Sequence, residues 1–174
     1  INADSGIREP KDLAGKRIGC AEYQLTANVW IRGILKDEYG VLPSSFTTFR
    51  GGLEDPGRVE KARVSLPADI RIEDIPPTRT LSAMLESGEL DALFTPRAPS
   101  SFTLGTGGTG KVRRLFEDTY KAEREYFDRT RVFPIMHVIV IRREIYERNR
   151  WVARSLFKGF LEAQRLAYQD LHET

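Results

Sequence analysis

The run FPIMHVIVI at residues 133–141, set within the wider stretch YFDRTRVFPIMHVIVIRREIY, constrains the fold more than any other part of this sequence. It is apolar and rich in β-branched residues, with Pro134 near one end and Arg142-Arg143 beyond the other. That pattern predicts a strand buried on both faces. Alternation would put Phe133, Ile135, His137, Ile139 and Ile141 on one face and Met136, Val138 and Val140 on the other. A histidine inside such a strand must find a hydrogen-bond partner or border a cavity. On spacing alone His137 is either a satisfied core histidine or a residue of a cleft.

Several function classes are excluded by composition. The 174 residues suffice for one good-sized domain or two small lobes, and 40% hydrophobic with 30% charged residues is the balance of a soluble globular chain. Lys and Arg number 27 against 25 Asp and Glu, and this net charge of +2 argues against general nucleic-acid binding. No run is long and apolar enough to cross a membrane as a helix. The single Cys20 excludes an internal disulfide, and its place after a short strand suits a small buried thiol better than a nucleophile. The two histidines, His137 and His172, form no metal-ligand spacing, and no Ser-His-Asp set assembles from spacing. A divalent ion held by Glu22, Glu54 and His137 is compatible with these residues but nothing demands it, so no cofactor is assigned. The opening INADSGIREP reads as interior sequence, so the chain is expected to be a fragment lacking an N-terminal segment.

In chain order, a strand is predicted at residues 16–21, then a helix at residues 26–39 with Thr26 as its N-cap. Val29, Trp30, Gly33 and Ile34 are expected to form its apolar stripe, and Gly40 its C-cap. A second strand falls at residues 46–49, and the proline-rich segment 53–77 reads as an ordered insertion or hairpin. Residues 80–87 form a helix with Leu81, Met84 and Leu85 buried, and residues 90–94 a strand. Residues 105–111 fit the phosphate-loop pattern G-x-x-x-x-G-K. Val112 stands where Ser or Thr should hold magnesium, however, and no buried strand leads in, so that reading is rejected. A short strand at 112–116, a charged helix at 118–128 and a long helix from Arg150 towards Leu171, capped by Asn149, complete the chain. Trp151, Leu156, Phe160, Ala163, Leu166 and Ala167 would line the core side of that last helix. The succession is that of an α/β protein.

Ligands of open α/β sheets bind at the carboxyl ends of strands. Three such places are rich in polar residues: Glu22, Tyr23, Gln24 and Thr26; Arg50-Gly51-Gly52 with Glu54 and Arg58; and Thr95-Pro96-Arg97. Backbone N–H groups at the start of the first helix add a ready anion site, and Arg97 suits bidentate recognition of a carboxylate. Any one arginine alone is better read as a surface ion pair. The set together predicts a small anionic ligand.

Four blocks, EYQLTANVWIRGIL (22–35), GGLEDPGRVEK (51–61), LFTPRAPSSF (93–102) and FPIMHVIVIRR (133–143), resemble the 4,5-dihydroxyphthalate decarboxylase family, a family similar in fold to the type II periplasmic substrate-binding proteins. The resemblance implies an α/β fold of two lobes, with mixed or mostly parallel sheets flanked by helices and the ligand in the cleft between them. Residues 1–132 would be mainly the second lobe, entered through a hinge at 1–15. Residues 133–174 would be the returning strand and long helix of the first lobe, whose N-terminal part is absent.

It further implies a carboxy-lyase that converts 4,5-dihydroxyphthalate to protocatechuate and carbon dioxide. Arg97, Arg58 and the N–H groups near Thr26 would anchor the retained carboxylate, with Tyr23 and Gln24 beside it. His137 would be the acid, and Glu22 or Glu54 would polarise the hydroxyls. The alternative is a non-catalytic small-anion-binding protein of a transporter or sensor. The partner expected is a small aromatic carboxylate, with neither nucleic acid nor membrane; a homo-oligomer is allowed. The enzyme would be cytoplasmic, the binding protein periplasmic.

Overall fold

The computed structural model describes residues 1–61, 65–102 and 110–173, in two units, Ile1–Met136 and His137–Thr174. The first unit is built on β1 (Arg17–Cys20), β2 (Thr47–Arg50), β3 (Arg71–Asp74) and β4 (Ala92–Phe94). All neighbours pair in parallel, in the order β3-β2-β1-β4. Segment 53–77 is therefore not a hairpin: its strand β3 extends the sheet beside β2 in the same direction. Prolines flank it on both sides, Pro56 and Pro67 before β3 and Pro76-Pro77 after it.

Alternation along the strands makes two cores. Ile18 and Cys20 of β1, with Ala92 and Phe94 of β4, join Leu35, Val41 and Phe46 on one face. On the other face lie Leu81, Met84, Leu85 and Leu90, with Phe49 and Leu93 packed against them. Gly19 faces this second core, where an added Cβ would stand 2.9 Å from Leu90 and 3.1 Å from Leu81. Its missing side chain lets the short helix α2 (Leu81–Glu86) sit directly on the strand. Thr80 caps α2, its hydroxyl accepting from the Ala83 N–H at 3.3 Å. The sheet is thus flanked by α1 (Thr26–Tyr39) on one side and α2 on the other.

Helix α1 has the predicted span, but its buried face is Ala27, Asn28 and Leu35, with Ile31 beside them. Val29 is exposed. Both stripes satisfy helical spacing; the sheet takes the one whose small Ala27 and Asn28 allow close approach, and Asn28 donates from Nδ2 to the Glu22 carbonyl at 2.7 Å. Trp30 turns elsewhere, donating to the Ile135 carbonyl at 3.0 Å. Thr26 is the first residue of the helix and not its cap; that position is Leu25, which offers no side-chain acceptor. Gly40, at φ 69°, ends the helix as its N–H and that of Val41 turn back to the Lys36 and Leu35 carbonyls.

Residues 112–116 make only an isolated bridge, Val112 with Asn2, because a single antiparallel pair has no room to extend before the chain turns away. Helix α3 (Thr119–Thr130) is capped by Asp118, whose carboxylate accepts from the Lys121 N–H at 2.9 Å. Of the phosphate-loop-like pattern, residues 105–109 lie outside the described residues.

The run at 133–141 is not a strand. No backbone of a neighbouring strand meets it among the described residues, and its apolar side chains are exposed, Phe133 at 77% and Val140 at 83%. Hydrophobic sequence predicts what a strand would bury, but a ladder needs a second backbone. The second unit contains α4 (Arg143–Arg148), unforeseen in the sequence, and α5 (Trp151–Glu173). Asn149 closes α4. The expected core side of α5 is exposed: Trp151, Leu156, Phe160 and Leu166 all face outward in this chain. No helix among the described residues is long and apolar enough to cross a membrane.

Candidate functional site

Parallel pairing brings all four strand ends to one edge. Cys20 lies opposite Arg50 and Phe94, and Arg50 opposite Asp74. From β1 the chain steps outward through β2 to β3, then returns to the other flank of β1 as β4. The loops after β1 and β4 therefore part company above the sheet, which makes this the topological switch point where open α/β sheets bind ligands. Glu22, Tyr23 and Gln24 follow β1, and Arg97 follows β4.

A charged network organises the β1 side. Glu22, itself buried, pairs with Arg58, which donates to it from Nη2 and, at 3.1 Å, from Nε. Beside it the Glu60 carboxylate accepts from the backbone N–H of Tyr23 at 2.9 Å and of Gln24 at 2.8 Å. Arg50 completes the group, donating to Glu60 at 2.9 Å and to both Asp74 oxygens at 2.7 and 3.0 Å. Arg58 holds Glu22, and Arg50 holds Asp74, below the usual carboxylate range. Backbone N–H groups just ahead of α1 thus hold an anion, the chain's own Glu60 carboxylate.

Tyr23 is buried at 6% exposure, which raises its phenol, and Arg32 of α1 lies over its ring with Cζ 3.6 Å from the centroid. Below them the Cys20 thiol, 1% exposed, is pushed up to about 12 by burial. It is a protonated packing group at neutral pH, since only the thiolate is nucleophilic.

The remaining predicted residues stand apart from this network. Glu54 is exposed and binds the β4 loop, accepting from the Ser100 N–H at 2.7 Å and hydroxyl at 2.6 Å. Arg97 is exposed; its N–H and carbonyl close a small turn with Thr95, and its guanidinium meets no acid among the described residues. Thr26 is exposed at the head of α1. His137 belongs to the second unit, exposed and outside any strand, so the expectation of a histidine inside a buried strand is not met.

The structure therefore joins Glu22, Tyr23, Gln24 and Arg58 in one cluster and puts Glu54 in another. It adds Arg50, named from the sequence only as a polar strand-end residue, and Glu60, Asp74 and Arg32, which sequence reasoning did not nominate. No local signal marks Glu60, because its backbone partners lie 36 and 37 residues away in sequence. Arg32 was legible only as a polar position on an amphipathic helix. Among the described residues, no three His, Cys, Asp or Glu side chains gather as a metal-binding group. Two surface grooves, of about 580 and 260 Å³, are lined by other residues, Arg8, Phe102 and Arg113 in the larger and Tyr39, Lys121 and Arg129 in the smaller.

No family model matches the sequence. Comparison with curated proteins finds a protein of Comamonas testosteroni named 4,5-dihydroxyphthalate decarboxylase, 44% identical over 174 residues, which is 100% of this chain and 52% of that protein. A protein of the same name from Pseudomonas putida is 50% identical over 127 residues, 73% of this chain and 48% of that protein. The chain spans about half the length of these relatives.

Proposed function

We propose that this chain is part of a member of the 4,5-dihydroxyphthalate decarboxylase family, and that the full-length protein removes one carboxylate from 4,5-dihydroxyphthalate to give protocatechuate and carbon dioxide. The observation that carries this reading is identity of 44% along all of the chain to a protein of that name. The cationic groups around a parallel-sheet switch point support it, because such an edge suits an aromatic carboxylate.

In the substrate each carboxylate lies para to a hydroxyl, which feeds electron density into the ring as the carbon–carbon bond breaks. Carbon dioxide departs, and the ring carbon takes a proton in its place. Two tasks fall to the protein. The retained carboxylate must be anchored: Arg97, which has no acid partner among the described residues, is better placed electrostatically than Arg58, for which a substrate would have to compete with Glu22. The carbon must be protonated, and His137 is the acid, histidine being the side chain most often used for proton transfer in catalysis. Glu22 or Glu54 polarises the hydroxyls, and exclusion of water favours expulsion of neutral carbon dioxide.

The reading includes a type II periplasmic-binding-protein-like arrangement of two lobes with the ligand in the cleft. Residues 1–132 belong mainly to one lobe and 133–174 to the other. Two facts support it: the apolar side chains exposed along Val138, Ile139, Val140 and α5, and relatives about twice as long as this chain.

The test is to mix the full-length protein with 4,5-dihydroxyphthalate and follow carbon dioxide and protocatechuate, with and without a chelator. Stoichiometric release of both products is expected. Binding without release would replace the enzyme by an anion-binding protein, and loss of turnover on chelation would add a metal to the mechanism.

A further inference from the structure

Most arginines at the carboxyl edge of the sheet are already engaged by acids. Arg50 is shared between Asp74 and Glu60, and Arg58 is bound to Glu22. Arg32 differs. Its guanidinium lies flat enough over Tyr23 to bring Cζ within 3.6 Å of the ring centroid, and it is half-buried. Among the described residues no carboxylate or carbonyl accepts a hydrogen bond from it. Burial lowers its affinity for the proton, against the pull of Tyr23, Cys20 and Glu60.

A partly desolvated guanidinium with unused N–H groups is costly, and stacking on an aromatic face offsets only part of that cost. Stacking also leaves something unused. With its face on the ring, the guanidinium keeps its in-plane N–H edge for a partner, and that edge is the fork that matches a carboxylate bidentately. Tyr23 in turn is fixed by burial and by the bond from its N–H to Glu60 at 2.9 Å. The platform is therefore rigid before any ligand arrives.

We propose that Arg32, stacked on Tyr23 in the loop that follows β1, is a substrate-binding residue that anchors a carboxylate of the aromatic ligand, with Tyr23 as the residue that positions it. The inference rests on the decarboxylase reading for the ligand's identity. It assigns Tyr23 a role through Arg32 in place of direct contact.

The experiment uses the full-length protein and its Arg32→Gln, Arg32→Lys and Tyr23→Leu variants. Phthalate binding is measured by calorimetry and turnover on 4,5-dihydroxyphthalate by product release. Arg32→Gln is expected to weaken phthalate binding and raise KM by about tenfold or more, with a smaller change in kcat, as loss of a ground-state anchor does. Its Tm without ligand stays near wild type, while the rise in Tm on adding phthalate is lost; a purely structural role would give the reverse. Tyr23→Leu removes the aromatic face on which Arg32 rests and is expected to weaken phthalate binding severalfold with Arg32 intact; binding equal to wild type would remove Tyr23 as its positioning residue. Arg32→Lys keeps charge but not the fork and falls between.

Should Arg32→Gln not fold, Arg32→Lys decides: binding equal to wild type overturns the proposal, as would Arg32→Gln binding within about threefold of wild type. A wild-type protein that binds phthalate but releases no carbon dioxide removes the decarboxylase reading and leaves Arg32 judged on binding alone. One that binds no aromatic carboxylate overturns both.

Discussion

Arg50, the last residue of β2, donates from Nη1 to the Glu60 carboxylate 2.9 Å away, and so fastens the end of a strand to the connection that leads to the next one. The same carboxylate holds the Tyr23 and Gln24 N–H groups, so one acid ties β2 to the turn after β1. Glu60 has 5% of its side chain exposed, and its loss strands donors that have little water to turn to.

Glu60→Ala should accordingly destabilise the full-length protein by roughly 2–3 kcal/mol, the range for removing an ionised acceptor from part-buried donors. Hydrogen exchange at residues 22–25 should rise with it. Urea unfolding checks the first effect and exchange mass spectrometry the second. An unchanged exchange pattern in the turn after β1 would remove Glu60 as its clamp.

His137 and Arg97 are expected to matter for rate and not for folding, since both are exposed in this chain. His137→Asn and Arg97→Ala in the full-length protein should each lower kcat/KM by more than about tenfold, as loss of a general acid or a carboxylate anchor does. Steady-state kinetics on 4,5-dihydroxyphthalate, with Tm as the control, measures this. Near-normal turnover in either variant removes that residue from the mechanism.

Cys20 should be inert. With its thiol raised to about 12 by burial, almost none is thiolate at pH 8. Iodoacetamide should leave the Cys20 peptide unmodified in the folded protein and alkylate it fully in urea. Rapid native labelling, read by peptide mass, would show that the strand end is open.

The pairs Glu22–Arg58 and Asp91–Arg17 predict the acid limb of stability. Arg58 holds Glu22 below its ordinary value of 4.5. Burial alone would raise Asp91, but Arg17, bonding to it at 2.8 and 3.0 Å, brings it below 3.8. A carboxylate depressed in the folded state contributes stability that is full above its unfolded value and lost as pH falls through the folded one. Stability should therefore hold down to about pH 5 and fall below it. Asp91→Asn should be the less stable protein at pH 7 and converge on wild type as pH falls through the depressed folded value of Asp91. Urea midpoints across that range test it, and a gap independent of pH would mean that the ion pair contributes nothing through ionisation.

Local pattern made the first unit legible. The span of α1, the buried Leu81, Met84 and Leu85 of α2, and strands β1, β2 and β4 all follow from periodicity and punctuation within a dozen residues. What failed depends on distant backbone. Strand β3 hides among prolines, because its RIED sequence has one apolar residue and earns its place only by pairing with β2. Residues 133–141 have the opposite character, strand-like in side chains but without a ladder in this chain. The site was half visible for the same reason. Glu22 and Arg58 are polar at strand ends, whereas Glu60 and Arg32 acquire meaning only from groups that the fold brings to them.

Gly51 and Gly52 illustrate how packing alone can require glycine at a strand end. They read as part of a polar binding segment, yet both are buried and both are required by close contacts. A Cβ on Gly52 would fall 1.6 Å from the Asp55 carbonyl oxygen, so the backbone itself would have to move. That backbone also accepts the Leu81 N–H at 2.9 Å, at the start of α2. A Cβ on Gly51 would meet Ile75 instead, at 2.3 Å from Cγ1 and 2.4 Å from Cδ1, atoms that a rotamer change can withdraw. Gly52→Ala should thus cost about 3 kcal/mol or more, and Gly51→Ala about 1–2 kcal/mol. The two differ in rescue as well. Ile75→Ala leaves a cavity that the methyl of Gly51→Ala enters, so the double variant should be more stable than the sum of the singles by at least about 1 kcal/mol. The same Ile75→Ala background should do nothing for Gly52→Ala. Urea unfolding of the two double-mutant cycles in the full-length protein decides it: additivity at Gly51 would show that the tight contact with Ile75 is not what keeps that position glycine.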